Sequence, residues 1–116
     1  MSTQRIPLNI AKMPEKAFLI PAENSGAQTI ELGEFMTVGR DNHCDIELAD
    51  PFVSSRHARI EKKTDGYWLR DLRSQNGTFI NGSRVMDAYL NIGDRLRFGQ
   101  REFIFQSGEV HAPSDP

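Results

Sequence analysis

Cysteine occurs only once, at Cys44, in a chain of 116 residues. One thiol excludes an intrachain disulfide and any zinc site built on several thiolates, and it fits a reducing compartment. A strong charge of one sign is missing too. The formal net charge is -2, so no overall field draws the chain to nucleic acid or to an acidic membrane, and any anion site must be local. No apolar run approaches the roughly 20 residues that span a bilayer. The start, Met1-Ser2-Thr3-Gln4-Arg5-Ile6-Pro7, lacks the apolar stretch of about 7–15 residues that marks a secretory signal. Together these absences point to the cytoplasm.

Helical periodicity is also absent, since no window of about 11 residues repeats apolar positions at helical spacing. What the chain has instead is short alternation. Phe18-Leu19-Ile20-Pro21, Thr29 to Leu32, Phe35 to Val38, Asp45 to Leu48, His57 to Glu61 and Tyr67 to Arg70 read as strands. Ile46 and Leu48 share one face, as do Ala58 and Ile60. Thr78-Phe79-Ile80, Val85-Met86, Tyr89-Leu90, Leu96 to Phe98 and Phe103 to Phe105 continue the pattern, the last two pairing around Gly99-Gln100. Thr64-Asp65-Gly66 reads as a hairpin turn, and Asn24-Ser25-Gly26 as turn chemistry. Asn76-Gly77 and Asn81-Gly82 are both Asn-Gly pairs, the strongest short hairpin signal. Many short strands joined by Gly and Asn turns predict an all-β sandwich or barrel. Residues 1–16, with Pro7 and Pro14 and no period beyond a short strand at Pro7 to Ile10, read as a tail. Residues 17–106 form the domain, and 107–116 form a second tail or linker. Trp68, Phe79, Phe98, Phe103 and Phe105 lie in alternating strands and are read as core rather than as base-stacking platforms.

Three polar loops interrupt this pattern: Gly39-Arg40-Asp41-Asn42, Ser54-Ser55-Arg56-His57-Ala58 and Ser74-Gln75-Asn76-Gly77-Thr78. In a sandwich, loops gather at the ends, so three distant loops can build one site. A phosphate monoester carries close to two negative charges and three strong acceptor oxygens. Arg40 offers a bidentate donor fork and the counter-charge. Gly39 lets the backbone approach closely. Ser54 and Ser55 offer hydroxyls and amides, and the Asn76 amide both donates and accepts, as gripping a peptide backbone requires. This inventory fits a phosphorylated peptide. Catalytic readings have less to stand on. Ser54 and His57 share one short loop with no third orienting group, and there is no G-x-S-x-G elbow. The neighbours His43 and Cys44 point in different directions on an extended chain and have no partner pair at zinc spacing. No metal, cofactor or catalytic residue is expected.

Gly39-Arg40, Ser54-Ser55-Arg56-His57-Ala58, the run from Asp71 to Gly82, and Gly93-Asp94-Arg95-Leu96-Arg97-Phe98-Gly99 resemble the forkhead-associated (FHA) domain family, in its bacterial type. The resemblance covers about Ala17 to Gln106, with its four motifs in order. It implies an eleven-stranded antiparallel β-sandwich that binds phosphothreonine peptides through loops at one end. By position, Arg40 and Ser54 resemble the family's phosphate-binding residues. Ser55 resembles the next loop position, and Asn76 the residue that holds the peptide main chain. Gln75 stands where many members carry Thr, Ser or a basic residue. His57 resembles a structural brace, with Gly39 and Gly77 shaping the same loops. Phe52, two before Ser54, falls near where members read the residue three after the phosphothreonine, which implies an apolar preference there. Asn81 is a further candidate peptide contact.

The implied function is phosphothreonine-peptide recognition in signal transduction, downstream of a Ser/Thr kinase and without catalysis in these residues. Family members attach to or regulate kinases, nucleotide cyclases such as GGDEF diguanylate cyclases, transcription factors and secretion components. Thr3, with Ile6 three residues on, is a candidate phospho-acceptor whose phosphorylated form would be a ligand for the chain's own loops, in cis or on a second copy. The alternative is a phospho-independent β-sandwich interaction or scaffold domain.

Overall fold

The structure is a computed structural model that describes residues 16–22 and 27–107. The expectations for Thr3, the strand at Pro7 to Ile10, the Asn24-Ser25-Gly26 turn and the tail from residue 108 lie outside these residues. Eleven strands form two sheets and no helix occurs among the described residues. No helix among them is long and apolar enough to cross a membrane. The strands are β1 Ala17–Pro21, β2 Ile30–Glu31, β3 Phe35–Gly39, β4 Ile46–Glu47, β5 Ala58–Lys63, β6 Gly66–Asp71, β7 Thr78–Ile80, β8 Ser83–Val85, β9 Asp87–Tyr89, β10 Arg95–Phe98 and β11 Arg101–Ser107. One sheet runs β2-β1-β11-β10-β7-β8 and the other β4-β3-β5-β6-β9. The last described strand reaches Ser107, which pairs with Ala17, so the first and last strands among the described residues lie side by side.

The core follows from alternation. Leu19, Val38, Ile46, Leu48, Ala58, Ile60, Leu69 and Leu96 project inward and are buried, with Phe98, Phe103 and Phe105 filling the space between the sheets. Each large side chain buried in this way contributes about 1.5–3 kcal/mol. Two of the five aromatic residues read as core lie elsewhere. Trp68 sits between buried Tyr67 and Leu69, so the period of two turns it outward, edge-on to Tyr89 at 4.8 Å. Phe79, between buried Thr78 and Ile80, likewise faces out and lies under the Arg97 guanidinium at 4.1 Å. Their solvent-facing sides are covered by cations rather than by the second sheet, with Lys63 5.7 Å from the Trp68 ring.

Two connections depart from the sequence expectation. Asn81-Gly82 is the expected hairpin: both residues have positive φ, 51° and 88°, and they join β7 to β8 with Ile80 opposite Ser83. Asn76-Gly77 is not a hairpin, because it carries the chain from β6 in one sheet to β7 in the other. The pairing of β3 with β4 is parallel, with Val38 opposite Ile46, so the five-stranded sheet is mixed rather than wholly antiparallel. Asp45 makes this possible. Its carboxylate takes both the N–H (2.9 Å) and the hydroxyl (3.1 Å) of Thr37, which brings the chain back along β3 before β4 begins.

Candidate functional site

The three polar loops meet at one end of the sandwich, where β3 ends, β5 begins and β6 crosses to β7. Short bonds tie them together. The Arg40 N–H donates to the Ser54 carbonyl (3.0 Å) and the Asp41 N–H to the Ser55 carbonyl (3.2 Å). The Gln75 N–H donates to Ser54 Oγ at 3.0 Å. The Asn76 side-chain amide donates to the Phe52 carbonyl at 2.9 Å. Arg40, Phe52, Ser54, Ser55, Gln75 and Asn76 are therefore neighbours, although they span more than thirty positions of chain.

Arg40 is held in one orientation. Its Nε donates to the Val53 carbonyl at 2.9 Å, which fixes the guanidinium and leaves its terminal nitrogens facing solvent. Ser54 Oγ accepts from Gln75, so its own hydrogen remains available to donate outward. Ser55 is exposed and uses its carbonyl inward, which leaves its hydroxyl and N–H on the surface. Gln75 has its N–H committed to Ser54, and its side chain is exposed. Phe52 is half exposed beside the cluster. Asn81 stands apart. Its amide is engaged by Asp94 (3.0 Å) and by the Arg95 N–H (2.9 Å), at the far end of β7 from Asn76.

His57 lies behind the loops and is fully buried. Its Nδ1 accepts the Ser54 N–H at 3.0 Å and its Nε2 lies 2.9 Å from the Gly77 carbonyl. An N–H can only donate and a carbonyl can only accept, so the ring is neutral with its proton on Nε2. It joins the second loop to the third and packs edge-on against Phe98 at 5.8 Å. Gly39 leaves no room for a side chain: a β-carbon there would lie 2.1 Å from the Ser55 carbonyl oxygen. At Gly77 the φ of 94° and the Arg84 side chain both oppose one.

Two acidic residues that sequence reasoning left without a role set the loop shapes. Asp50 is buried and accepts the Phe52 N–H (2.8 Å) and the Gln100 N–H (2.9 Å), tying the Ser54 loop to the β10–β11 turn. Asp71 accepts the hydroxyls of Ser74 (2.5 Å) and Thr78 (2.7 Å) and the Ser74 N–H (3.0 Å). The Gly77 N–H in turn donates to Ser74 Oγ at 2.9 Å. Burial alone would raise the Asp71 pKa, but the hydrogen bonds from Ser74 and Thr78 outweigh it and hold the carboxyl below its ordinary value. The available signals were Asp before Pro51, and Asp three residues before Ser, both ordinary side-chain capping patterns of turns.

The cluster joins a fixed guanidinium, two outward hydroxyls and a peptide-like amide, with no carboxylate among these six neighbours. The sequence itself matches the family model of the FHA domain over residues 36–99, more than half of the chain. The chain belongs to the FHA domain family. Among similar proteins, the oxoglutarate dehydrogenase inhibitor of Corynebacterium jeikeium is 30% identical over 109 residues, 91% of this chain and 76% of that protein. The glycogen accumulation regulator GarA of Mycobacterium tuberculosis is 30% identical over 92 residues, 79% of this chain and 57% of GarA. Among solved structures, one from a study of phosphothreonine-dependent FHA domain interactions superposes with a TM-score of 0.73 at 34% identity, covering 78% of this chain and 95% of that one. EmbR of Mycobacterium tuberculosis, solved with a low-affinity phosphopeptide, gives 0.74 at 32% identity, covering 79% of this chain and 24% of EmbR. The FHA sandwich expected from the sequence is thus the fold observed, with its loop cluster at one end.

Proposed function

We propose that this FHA domain binds phosphothreonine-containing protein segments at the Arg40–Ser54–Asn76 cluster and acts as a recognition module in signalling, without catalysis of its own. The observation that carries this reading is the fixed Arg40 fork beside the Ser54 hydroxyl, whose acceptor side is already used by Gln75. The terminal nitrogens of Arg40, the Ser54 and Ser55 hydroxyls and the Ser55 N–H meet the oxygens of one phosphate. The free acceptor of the Asn76 amide takes a peptide N–H. Charge-assisted hydrogen bonds contribute about 1.5–3 kcal/mol each. Two or three of them with main-chain contacts give micromolar affinity, about -8 kcal/mol. Phe52, half exposed at the rim, is the apolar contact for a residue beyond the phosphothreonine. The module works in the cytoplasm, downstream of a Ser/Thr kinase, and recruits or regulates an effector.

Thr3, with Ile6 three residues after it, supplies a candidate ligand on the same chain. Light scattering with and without phosphate on Thr3 tests docking onto a second copy; a monomer in both states excludes that exchange. The broader test is a phosphothreonine peptide library screened against phosphatase-treated controls. Enrichment that disappears on phosphatase treatment is the expected result. Enrichment that persists would favour phospho-independent recognition.

A further inference from the structure

The outer face of the five-stranded sheet concentrates arginine that the loop cluster does not use. Arg59 on β5 stands directly opposite Arg70 on β6. Arg73 follows in the β6–β7 loop, in the left-handed region with φ of 61°. With Asp71 and Leu72 these three line a shallow hollow of about 400 Å³. Like charges directly opposite on neighbouring strands are destabilising, and a left-handed backbone is costly for a residue with a β-carbon. Folding alone favours neither feature.

Among the described residues, few counter-ions meet these arginines. Arg59 is met by Glu61, with Nε and Oε2 2.8 Å apart, and its guanidinium lies 5.3 Å from the centre of the Phe35 ring. The Asp71 carboxylate is turned away onto Ser74 and Thr78. Asp87 faces Arg70 across the β6–β9 register, but among the described residues no carboxylate forms an ion pair with Arg70 or Arg73. Both are exposed. The hollow's residues also lie close in the chain to the loop cluster. Arg73 lies two positions before Gln75, whose N–H rests on Ser54, and Arg59 lies two positions after His57.

We propose that Arg70 and Arg73 form a second anion subsite that reads a negatively charged side chain, a carboxylate or a second phosphate, flanking the phosphothreonine on the same ligand. The proposal rests on the phosphothreonine reading of the loop cluster. Five positions separate Arg70 from Gln75, at most about 17 Å of chain. An extended peptide therefore brings a residue within about five positions of the phosphothreonine over the hollow. A guanidinium matches the planar carboxylate and the phosphate equally well. Because the subsite is exposed, its contribution is modest and weakens in salt.

The test titrates the domain with phosphothreonine peptides that have neutral flanks, glutamates before or after the phosphothreonine, or a second phosphothreonine. The same peptides are titrated against the double variant Arg70→Gln/Arg73→Asn, where asparagine tolerates the left-handed backbone. The neutral-flank peptide is expected to bind both proteins alike. The charged peptides are expected to bind wild type about three- to tenfold more tightly than the neutral one at low salt, with the gain lost in the double variant. A gain confined to glutamate or to phosphate supports the subsite and names its anion. No gain with any charged peptide, or a gain that survives in the double variant, overturns it. Failure of the phosphothreonine site itself would show separately, as undiminished neutral-flank binding to Arg40→Ala.

Discussion

The backbone N–H of Ser54 ends on Nδ1 of His57, 3.0 Å away, and this bond fixes both the loop and the protonation state of the ring. With Nε2 turned to the Gly77 carbonyl at 2.9 Å, one imidazole links two loops that lie twenty residues apart in the chain. His57→Ala opens a cavity against Phe98 and leaves a donor and an acceptor without partners. The expected loss is about 2–4 kcal/mol, read as a lower urea midpoint, together with weaker phosphopeptide binding. Unchanged stability with lost binding would instead make His57 a direct ligand contact.

Gly39→Ala is expected to fail at the backbone. The new methyl would meet the Ser55 carbonyl oxygen at 2.1 Å and Cys44 Sγ at 2.8 Å. Neither the end of β3 nor the Ser54 loop can keep its place, so the variant should lose about 1–3 kcal/mol and bind phosphopeptide poorly. Gly33→Ala, where the nearest atom is Met36 Sδ at 3.5 Å, is the control and should unfold at nearly the wild-type denaturant concentration. Equal behaviour of the two variants would contradict the packing seen at Gly39.

Asp71 makes part of the stability depend on pH. Its folded-state pKa lies below the ordinary value of 3.8, because the hydrogen bonds from Ser74 and Thr78 outweigh the effect of burial. A depressed carboxyl pKa stabilises the fold above the unfolded value, and that contribution fades as pH falls through the folded one. Asp71→Asn should therefore cost about 1–2 kcal/mol at neutral pH, kept small by partial solvation of the carboxylate. The gap from wild type should narrow as pH drops below 3.8. Denaturant unfolding at pH 7 and pH 3 measures both quantities; a gap that is constant or widens in acid would contradict the assignment.

Much of this arrangement was legible in the chain. Period-two alternation marked the strands because one face of each is buried, as at Ile46 and Leu48 or Ala58 and Ile60. The FHA-like motifs marked Arg40, Ser54, Gln75 and Asn76, which the fold brings together. The same alternation also turned Trp68 and Phe79 outward, a result hidden when aromatic content is weighed without the phase of the neighbouring residues. Asn76-Gly77 carries the local chemistry of a hairpin, yet the Asp71–Ser74–Thr78 bonds direct the chain into the other sheet. The parallel entry of β4 depends on Asp45 meeting Thr37, a contact between residues whose types do not announce it. What was hidden is the longer-range part of the bonds made by the Asp50, Asp71 and Asp45 carboxylates, to Gln100, Thr78 and Thr37, which form only once the sheets have placed these partners.

The most direct test of the central claim is calorimetric titration of one phosphothreonine peptide against the wild-type domain and Arg40→Ala, with the unphosphorylated peptide as control. Arg40 is exposed and, among the described residues, its side chain bonds only the Val53 carbonyl, so the variant should keep the wild-type fold by circular dichroism. Wild type should bind the phosphorylated peptide at micromolar affinity and ignore the control. Arg40→Ala should bind at least about tenfold more weakly. Equal affinity of the two proteins for the phosphorylated peptide would contradict the assignment of this loop cluster as the phosphate site.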